Sequence, residues 1–97
     1  MSESVRIILP GVLRELADGL NELVVPLGDG STSLRTVLDA AVLDRPQLAA
    51  RIRDETGALR RHVNVFVNGQ DTRRLGGLDA PVGSDAVVHI LPSVAGG

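Results

Sequence analysis

The chain of 97 residues contains no cysteine, lysine, tryptophan or tyrosine, and Phe66 is its single aromatic residue. Without cysteine there is no disulfide, no thiolate nucleophile and no thiolate ligand for a metal ion. The two histidines, His62 and His89, would need carboxylates to complete a zinc site, so no metal site is predicted. Because every basic side chain is an arginine, the chain also offers no side-chain amine.

The sequence has neither a surplus of positive charge nor a long apolar run. Ten basic and twelve acidic residues give a net charge of −2, which provides no general attraction for a phosphate backbone. The apolar runs fall far short of the roughly 18 residues that a membrane span requires, and the start of the chain lacks the basic region of a signal peptide. We therefore expect a cytoplasmic protein that binds no nucleic acid and no membrane.

Apolar periodicity predicts four strands and two helices. Alternation with a period of two predicts strands over residues 5–9, 21–27, 62–68 and 86–91. A helix is expected after an N-cap at Thr32 or Ser33, because Leu34, Val37 and Leu38 begin a helical apolar spacing. A second helix is predicted over residues 46–55 with a C-cap at Gly57. Asn68 and Gly69 predict a tight reversal, and residues 73–85 a turn-rich crossing.

This order of elements predicts an α+β fold with a mixed sheet and both helices on one face. The first two strands should pair antiparallel, and the crossover should bring the first and last strands together in parallel at the sheet centre. We therefore predict a β-grasp (ubiquitin-like) fold with about four to five strands. The expected organisation is a single domain over residues 1–91 and a flexible C-terminal Gly-Gly tail over residues 92–97.

The residues do not predict an enzyme. Ser84, Asp85 and His89 are close in sequence, but on a strand Asp85 and His89 would lie about 13 Å apart on one face, too far to form a catalytic pair. No dinucleotide-binding, phosphate-loop or zinc-protease motif is present. We expect no catalytic residues in this chain.

The end of the sequence is the remaining candidate for chemistry. Residues 92–97 follow an apolar strand, carry no charged side chain and could extend roughly 20 Å, far enough to enter another protein's active site. Glycine suits such threading because it has no Cβ. The Gly97 carboxylate is a poor electrophile until adenylyl transfer from ATP activates it for attack by a sulfide or persulfide. No cofactor of its own is predicted, so a partner enzyme must supply the ATP and Mg²⁺.

The sequence resembles the MoaD/ThiS family of ubiquitin-like sulfur carrier proteins, and most of all its CysO type. One departure from the family pattern is Ser84, which stands between Gly83 and Asp85 ahead of the last strand. The resemblance covers nearly the whole chain, and it is most specific at the tail. Its segments are residues 63–69, Arg73, residues 77–78 and residues 87–97, with weaker similarity over residues 12–16 and 30–34.

The resemblance implies that Gly97 carries sulfur as a thiocarboxylate, while Val94, Ala95 and Gly96 thread into the partner. The implied partners are an adenylyltransferase/sulfurtransferase similar to ubiquitin-activating enzymes and a sulfur-accepting synthase. That synthase would make cysteine from an activated serine derivative or thiolate a specialised metabolite. Three alternatives stay open: the small subunit of molybdopterin synthase, a ubiquitin-like interaction module whose tail is incidental, and a protein tag that is joined to lysine.

Strand alternation also predicts a docking surface. If Val63, Val65 and Val67 face the helices, Phe66 must point to the open side of the sheet. His89 and Leu91 should point the same way and form an apolar patch with Phe66 beside the root of the tail. An exposed phenylalanine on a sheet face without helices is typical of a partner site. The alternative is that Phe66 belongs to the core.

Overall fold

Seven strands, three α-helices and three short 3₁₀ segments form the part of the chain that the computed structural model describes, residues 3–27 and 30–92. None of the described helices is long and apolar enough to cross a membrane. The strands are β1 (Ser4–Ile8), β2 (Glu22–Pro26), β3 (Thr32–Ser33), β4 (Val63–Val67), β5 (Gln70–Asp71), β6 (Pro81–Val82) and β7 (Val87–Pro92). The helices are α1 (Gly11–Arg14), α2 (Leu34–Ala41) and α3 (Pro46–Ile52), and the 3₁₀ segments are Glu15–Ala17, Thr72–Arg74 and Gly77–Asp79.

The main sheet has five strands in the order β2-β1-β7-β4-β5. Strand β1 pairs antiparallel with β2 and parallel with β7, and β7 pairs antiparallel with β4. The first and last strands therefore lie side by side within the sheet, as predicted. The mixed sheet with helices over one face is the β-grasp arrangement, so the predicted fold is confirmed.

The core lies between the helices and the inward face of this sheet. Val5, Ile7 and Leu9 are buried, as the alternation of β1 predicted. Helix α2 begins where its cap was expected, because the Ser33 hydroxyl accepts a hydrogen bond from the Thr36 backbone N–H at 3.2 Å. The apolar positions of α2 and α3 complete the core at Leu34, Val37, Leu38, Ala41, Leu48 and Ile52.

Helix α3, predicted over residues 46–55, is shorter than predicted. It ends at Ile52 rather than at residue 55, and Arg53 is extended and bridges to Leu59. The Asp54 carboxylate accepts hydrogen bonds from the backbone N–H groups of Thr56 and Ala58, which offers these groups an alternative to helix. Gly57 has a positive φ of 89°, but it belongs to this turn and not to a helix C-cap.

The sequence did not predict the two-residue strands β3, β5 and β6. Asn68 and Gly69 make the expected reversal with positive φ at both positions, and this reversal leads into β5, which was not predicted. The crossing over residues 73–85 contains two-residue strand β6, which pairs with β3 in a second small sheet. The last strand ends one residue later than predicted, since the Cα of Pro92 lies opposite Val63 in the ladder. Elements of two residues carry no periodicity that a sequence could reveal.

Hydrogen bonds in the turn after α3 favour the charged form of Asp54. The Thr56 hydroxyl, followed by the Thr56 backbone N–H, lowers the pKa of Asp54 below its ordinary value of 3.8. This contribution to stability is present above pH 3.8 and is lost as the pH falls through the lower folded-state pKa. Thr56→Val is expected to raise the pKa of Asp54 in an NMR titration of the carboxyl carbon. Glu55→Gln is the control, and an equal shift in both variants would contradict the assignment.

Candidate functional site

The face of the main sheet that points away from the helices carries one continuous row of side chains across all five strands. The strand registers place Ile8 opposite Glu22 and opposite His89, and Phe66 opposite His89 and opposite Asp71. Directly opposed residues have Cβ atoms about 4.5–5.5 Å apart, so their side chains are in contact range. The row therefore has Ile8, His89 and Phe66 at its centre and a carboxylate at each end.

All three residues of the predicted docking patch lie on this open face. Phe66 is half-buried and His89 is exposed, and the two are direct partners across β4 and β7. Leu91 is 45% exposed and lies opposite Asn64, two residues along β7 from His89. Phe66 is thus not part of the buried core. The structure brings the patch together, and its binding role stays a prediction.

Further apolar residues of the open face were not assigned to the site from the sequence, among them Ile8 and Val24. Ile8 is half-buried between Glu22 and His89, and Val24 on β2 is 58% exposed. Both follow from alternation, because a strand that buries Val5 and Ile7 must turn Ile8 outward. The outward positions of Ile8 and Val24 could therefore have been predicted from the sequence. The open face extends beyond the three residues of the predicted patch.

The Arg73 side chain forms three hydrogen bonds near Pro92, the last described residue. Its Nη1 donates to Asn64 Oδ1 at 2.7 Å, and its Nη2 donates to the carbonyl oxygens of Arg61 and Val63 at 3.1 and 3.2 Å. Val63 lies opposite Pro92 at the end of the β4–β7 ladder. The Arg73 guanidinium therefore braces the strand from which the tail departs, a role that its position in the sequence did not reveal.

The tail residues named from the sequence, Val94, Ala95, Gly96 and Gly97, lie outside the described residues. The described structure ends at Pro92, at the end of the sheet where β4 begins. Leu91, the outermost residue of the patch, immediately precedes it. The docking patch and the root of the tail are therefore contiguous along β7.

The distance argument against a catalytic pair put Asp85 on a strand with His89, and this placement was wrong. Asp85 has a positive φ of 62° in the turn before β7, where its backbone N–H donates to the Ser4 carbonyl at 2.9 Å. His89 instead lies between Ile8 and Phe66 on the open face. Across residues 3–27 and 30–92, no three histidine or carboxylate side chains gather where they could hold a metal ion.

The sequence matches a known protein family and a named relative over nearly its whole length. The model of the ThiS family matches residues 7–97. The sulfur carrier protein CysO of Mycobacterium tuberculosis is 33% identical over 96 residues, which cover 97% of this chain and 99% of that protein.

Solved structures give the same result. A chain of the Amycolatopsis orientalis BexX/CysO complex is 32% identical, with a TM-score of 0.82 and coverage of 96% of this chain and 99% of that one. The small archaeal modifier protein 1 of Methanosarcina acetivorans is 29% identical, with a TM-score of 0.79 and coverage of 100% and 99%. The chain therefore belongs to the ThiS family, and its resemblance to the ubiquitin-like sulfur carriers is confirmed.

Proposed function

We propose that this chain is a sulfur carrier whose reactive group is the carboxylate of Gly97. A carboxylate oxygen attacks the α-phosphorus of ATP in a partner adenylyltransferase, pyrophosphate leaves, and an acyl-adenylate forms. Hydrosulfide then attacks the acyl carbon, the bond to the AMP oxygen breaks, and a thiocarboxylate remains. The thiocarboxylate donates its sulfur to an acceptor synthase, for cysteine or for a specialised thio-metabolite. ATP and Mg²⁺ act in the partner, which supplies the charge stabilisation that adenylyl transfer needs.

The observation that carries this proposal is the family match, which continues through the Gly-Gly end at residue 97. The CysO relative that bears the name sulfur carrier aligns over nearly its whole length as well. The geometry agrees with a carrier, because Leu91 on the open face leads directly to Pro92 and the tail. A partner that binds the patch would therefore also meet the tail.

Intact-mass spectrometry of the protein isolated from its host tests the proposal. Replacing one oxygen by sulfur should add about 16 Da, and oxidation of Met1 would add the same nominal mass. Only the thiocarboxylate should be alkylated by iodoacetamide, because the chain has no cysteine to compete. A mass gain that survives unalkylated, or no gain in cells that are actively assimilating sulfur, would contradict the proposal.

Protein tagging uses the same activated end and is a second candidate. One structural relative is named a small archaeal modifier protein. Tagging would join Gly97 to a lysine of a target through an isopeptide bond, and this chain has no lysine of its own to extend such a chain. After trypsin digestion, recovery of residues 75–97 joined through Gly97 to lysines of other host proteins, without any thiocarboxylate, would favour tagging over sulfur transfer.

Phe66→Ala is expected to weaken binding to the acceptor synthase about tenfold or more, since a buried aromatic anchor is the usual source of such a loss. Its neighbour Val65 faces the core and serves as the matched control. Val65→Ala should lower the thermal midpoint and leave the affinity of the remaining folded protein unchanged. Calorimetric titration gives both affinities, and a Phe66→Ala protein that binds like the wild type would exclude the patch.

A further inference from the structure

A second surface, lined by none of the patch residues, has a local excess of positive charge. A groove of about 590 Å³ lies between the segment before β4, the start of α2 and the loop that contains the second and third 3₁₀ segments. Four of the ten arginines line it, together with one of the twelve acidic residues. The other six arginines are set against eleven acidic residues. These groove residues are Arg35, Arg60, Arg61, Arg73 and Asp79.

Three of the four guanidinium groups are held in place by the protein itself. Arg73 is bound to Asn64 and to two carbonyl oxygens, and Arg60 Nε donates to the Ala50 carbonyl at 2.6 Å. Arg35 pairs with Asp79 at 2.6 Å. The side chain of Arg61 is exposed and makes no hydrogen bond or ion pair with any described residue. The groove therefore presents four guanidinium groups, and that of Arg61 has no partner among the described residues.

The floor between the arginines is apolar. Leu59 and Leu78 line the groove and are partly buried against the core, beside Gly76 and Gly77. An inorganic anion would leave this apolar surface unused. A peptide segment with carboxylates and one apolar side chain would use both features, since guanidinium groups bind carboxylates in a forked geometry.

The groove is connected to the start of the tail through Arg73. Arg73, which lines the groove, binds the carbonyl of Val63, and Val63 pairs with the last described residue, Pro92. In adenylation the anionic carboxylate of Gly97 must approach the anionic triphosphate of ATP, and like charges oppose this step. A contact at a remote surface of opposite charge strengthens the association of carrier and enzyme that must precede this step.

We propose that the arginine groove docks an acidic segment, with one apolar anchor, of the enzyme that adenylates this chain. The inference rests on the proposed function, because it assumes that an activating enzyme takes up the tail. It adds a second contact, electrostatic and independent of the apolar patch. Its contribution should be to recognition of the carrier rather than to the chemical step.

The test is ATP–pyrophosphate exchange by the host's activating enzyme, with full-length carrier as the varied substrate. Arg61→Glu should raise KM about tenfold and leave kcat unchanged, since reversal of a contacting charge chiefly changes association. Arg51→Glu is the matched control, because Arg51 is exposed on α3 and does not line the groove. High salt should shrink the difference between the two variants.

An equal KM for both variants, or a loss in kcat alone for Arg61→Glu, would overturn the docking assignment. Normal exchange with wild-type carrier would still stand in that case, so the proposed function would survive. Absence of exchange with the wild-type carrier would instead overturn the proposed function and this inference together. Only the Arg61 side chain is changed, while its carbonyl, which binds Arg73, is retained.

Discussion

Deletion of Gly97 is expected to abolish adenylation of the chain, with a loss of at least about a thousandfold in ATP–pyrophosphate exchange. The deletion draws the terminal carboxylate back by one residue, or roughly 3.5 Å. Misplacement by about 1 Å can already cost a hundredfold when reacting atoms must meet in a fixed geometry. The core and the main sheet are built from residues within 3–27 and 30–92, so we expect the thermal midpoint to stay near that of the wild type.

Deletion of Ser2 is the matched control, because it also removes one small residue but leaves the Gly97 carboxylate in place. This variant should be adenylated like the wild type. If the protein without Gly97 were still adenylated and still transferred sulfur, some other group would have to be the reagent. In that case the tail would be incidental.

Truncation of a core side chain on β1 is also expected to have a large effect, in this case on stability. Ile7→Ala is expected to lower the free energy of unfolding by about 2–5 kcal/mol, because it leaves a cavity in a packed site. Ile7 is 0% exposed on β1, between β2 and β7 in the sheet, where it pairs with Leu23 and Val88. Domains of this size have a total stability of about 5–15 kcal/mol, so the loss is a large share of the whole. Urea denaturation measures it.

Ile8→Ala provides the matched control on the adjacent residue. Ile8 points to the open face and is half-buried, so the same substitution removes less buried apolar surface and should cost only about 1 kcal/mol. We expect it to weaken partner binding instead, because Ile8 lies beside His89 in the central row of the open face. Equal losses of stability in both variants would contradict the assignment of the two faces.

Much of the fold follows from the sequence because its signals are local. Alternation in β1 and β4 determines which side chains face the helices, and Ser33 caps α2 where an apolar helical spacing begins. Asn68 and Gly69 tolerate the positive φ values that their turn requires. The same alternation placed Phe66, His89 and Leu91 on the open face. Four strands and one crossover then leave few topologies other than the β-grasp.

The rest depends on contacts between distant residues. Helix α3 ends early because of the Asp54 turn, and β3 and β6 pair although each has only two residues. Arg73 reaches Asn64 and Val63 across nine and ten positions, and periodicity carries no information about such a contact. The arginine groove likewise joins residues from three separate segments. These features come from tertiary packing, which a pattern along one strand or helix cannot contain.

The most direct test of the central claim is to locate the added sulfur within the chain. After reaction with the activating enzyme, ATP and sulfide, trypsin should release residues 75–97 as one peptide, because Arg74 is the last basic residue before the end. This peptide has neither cysteine nor methionine, so any sulfur in it must have been acquired. We predict a gain of about 16 Da that fragment ions confine to Gly97. A gain at any other residue, or none after complete ATP turnover, would contradict the account.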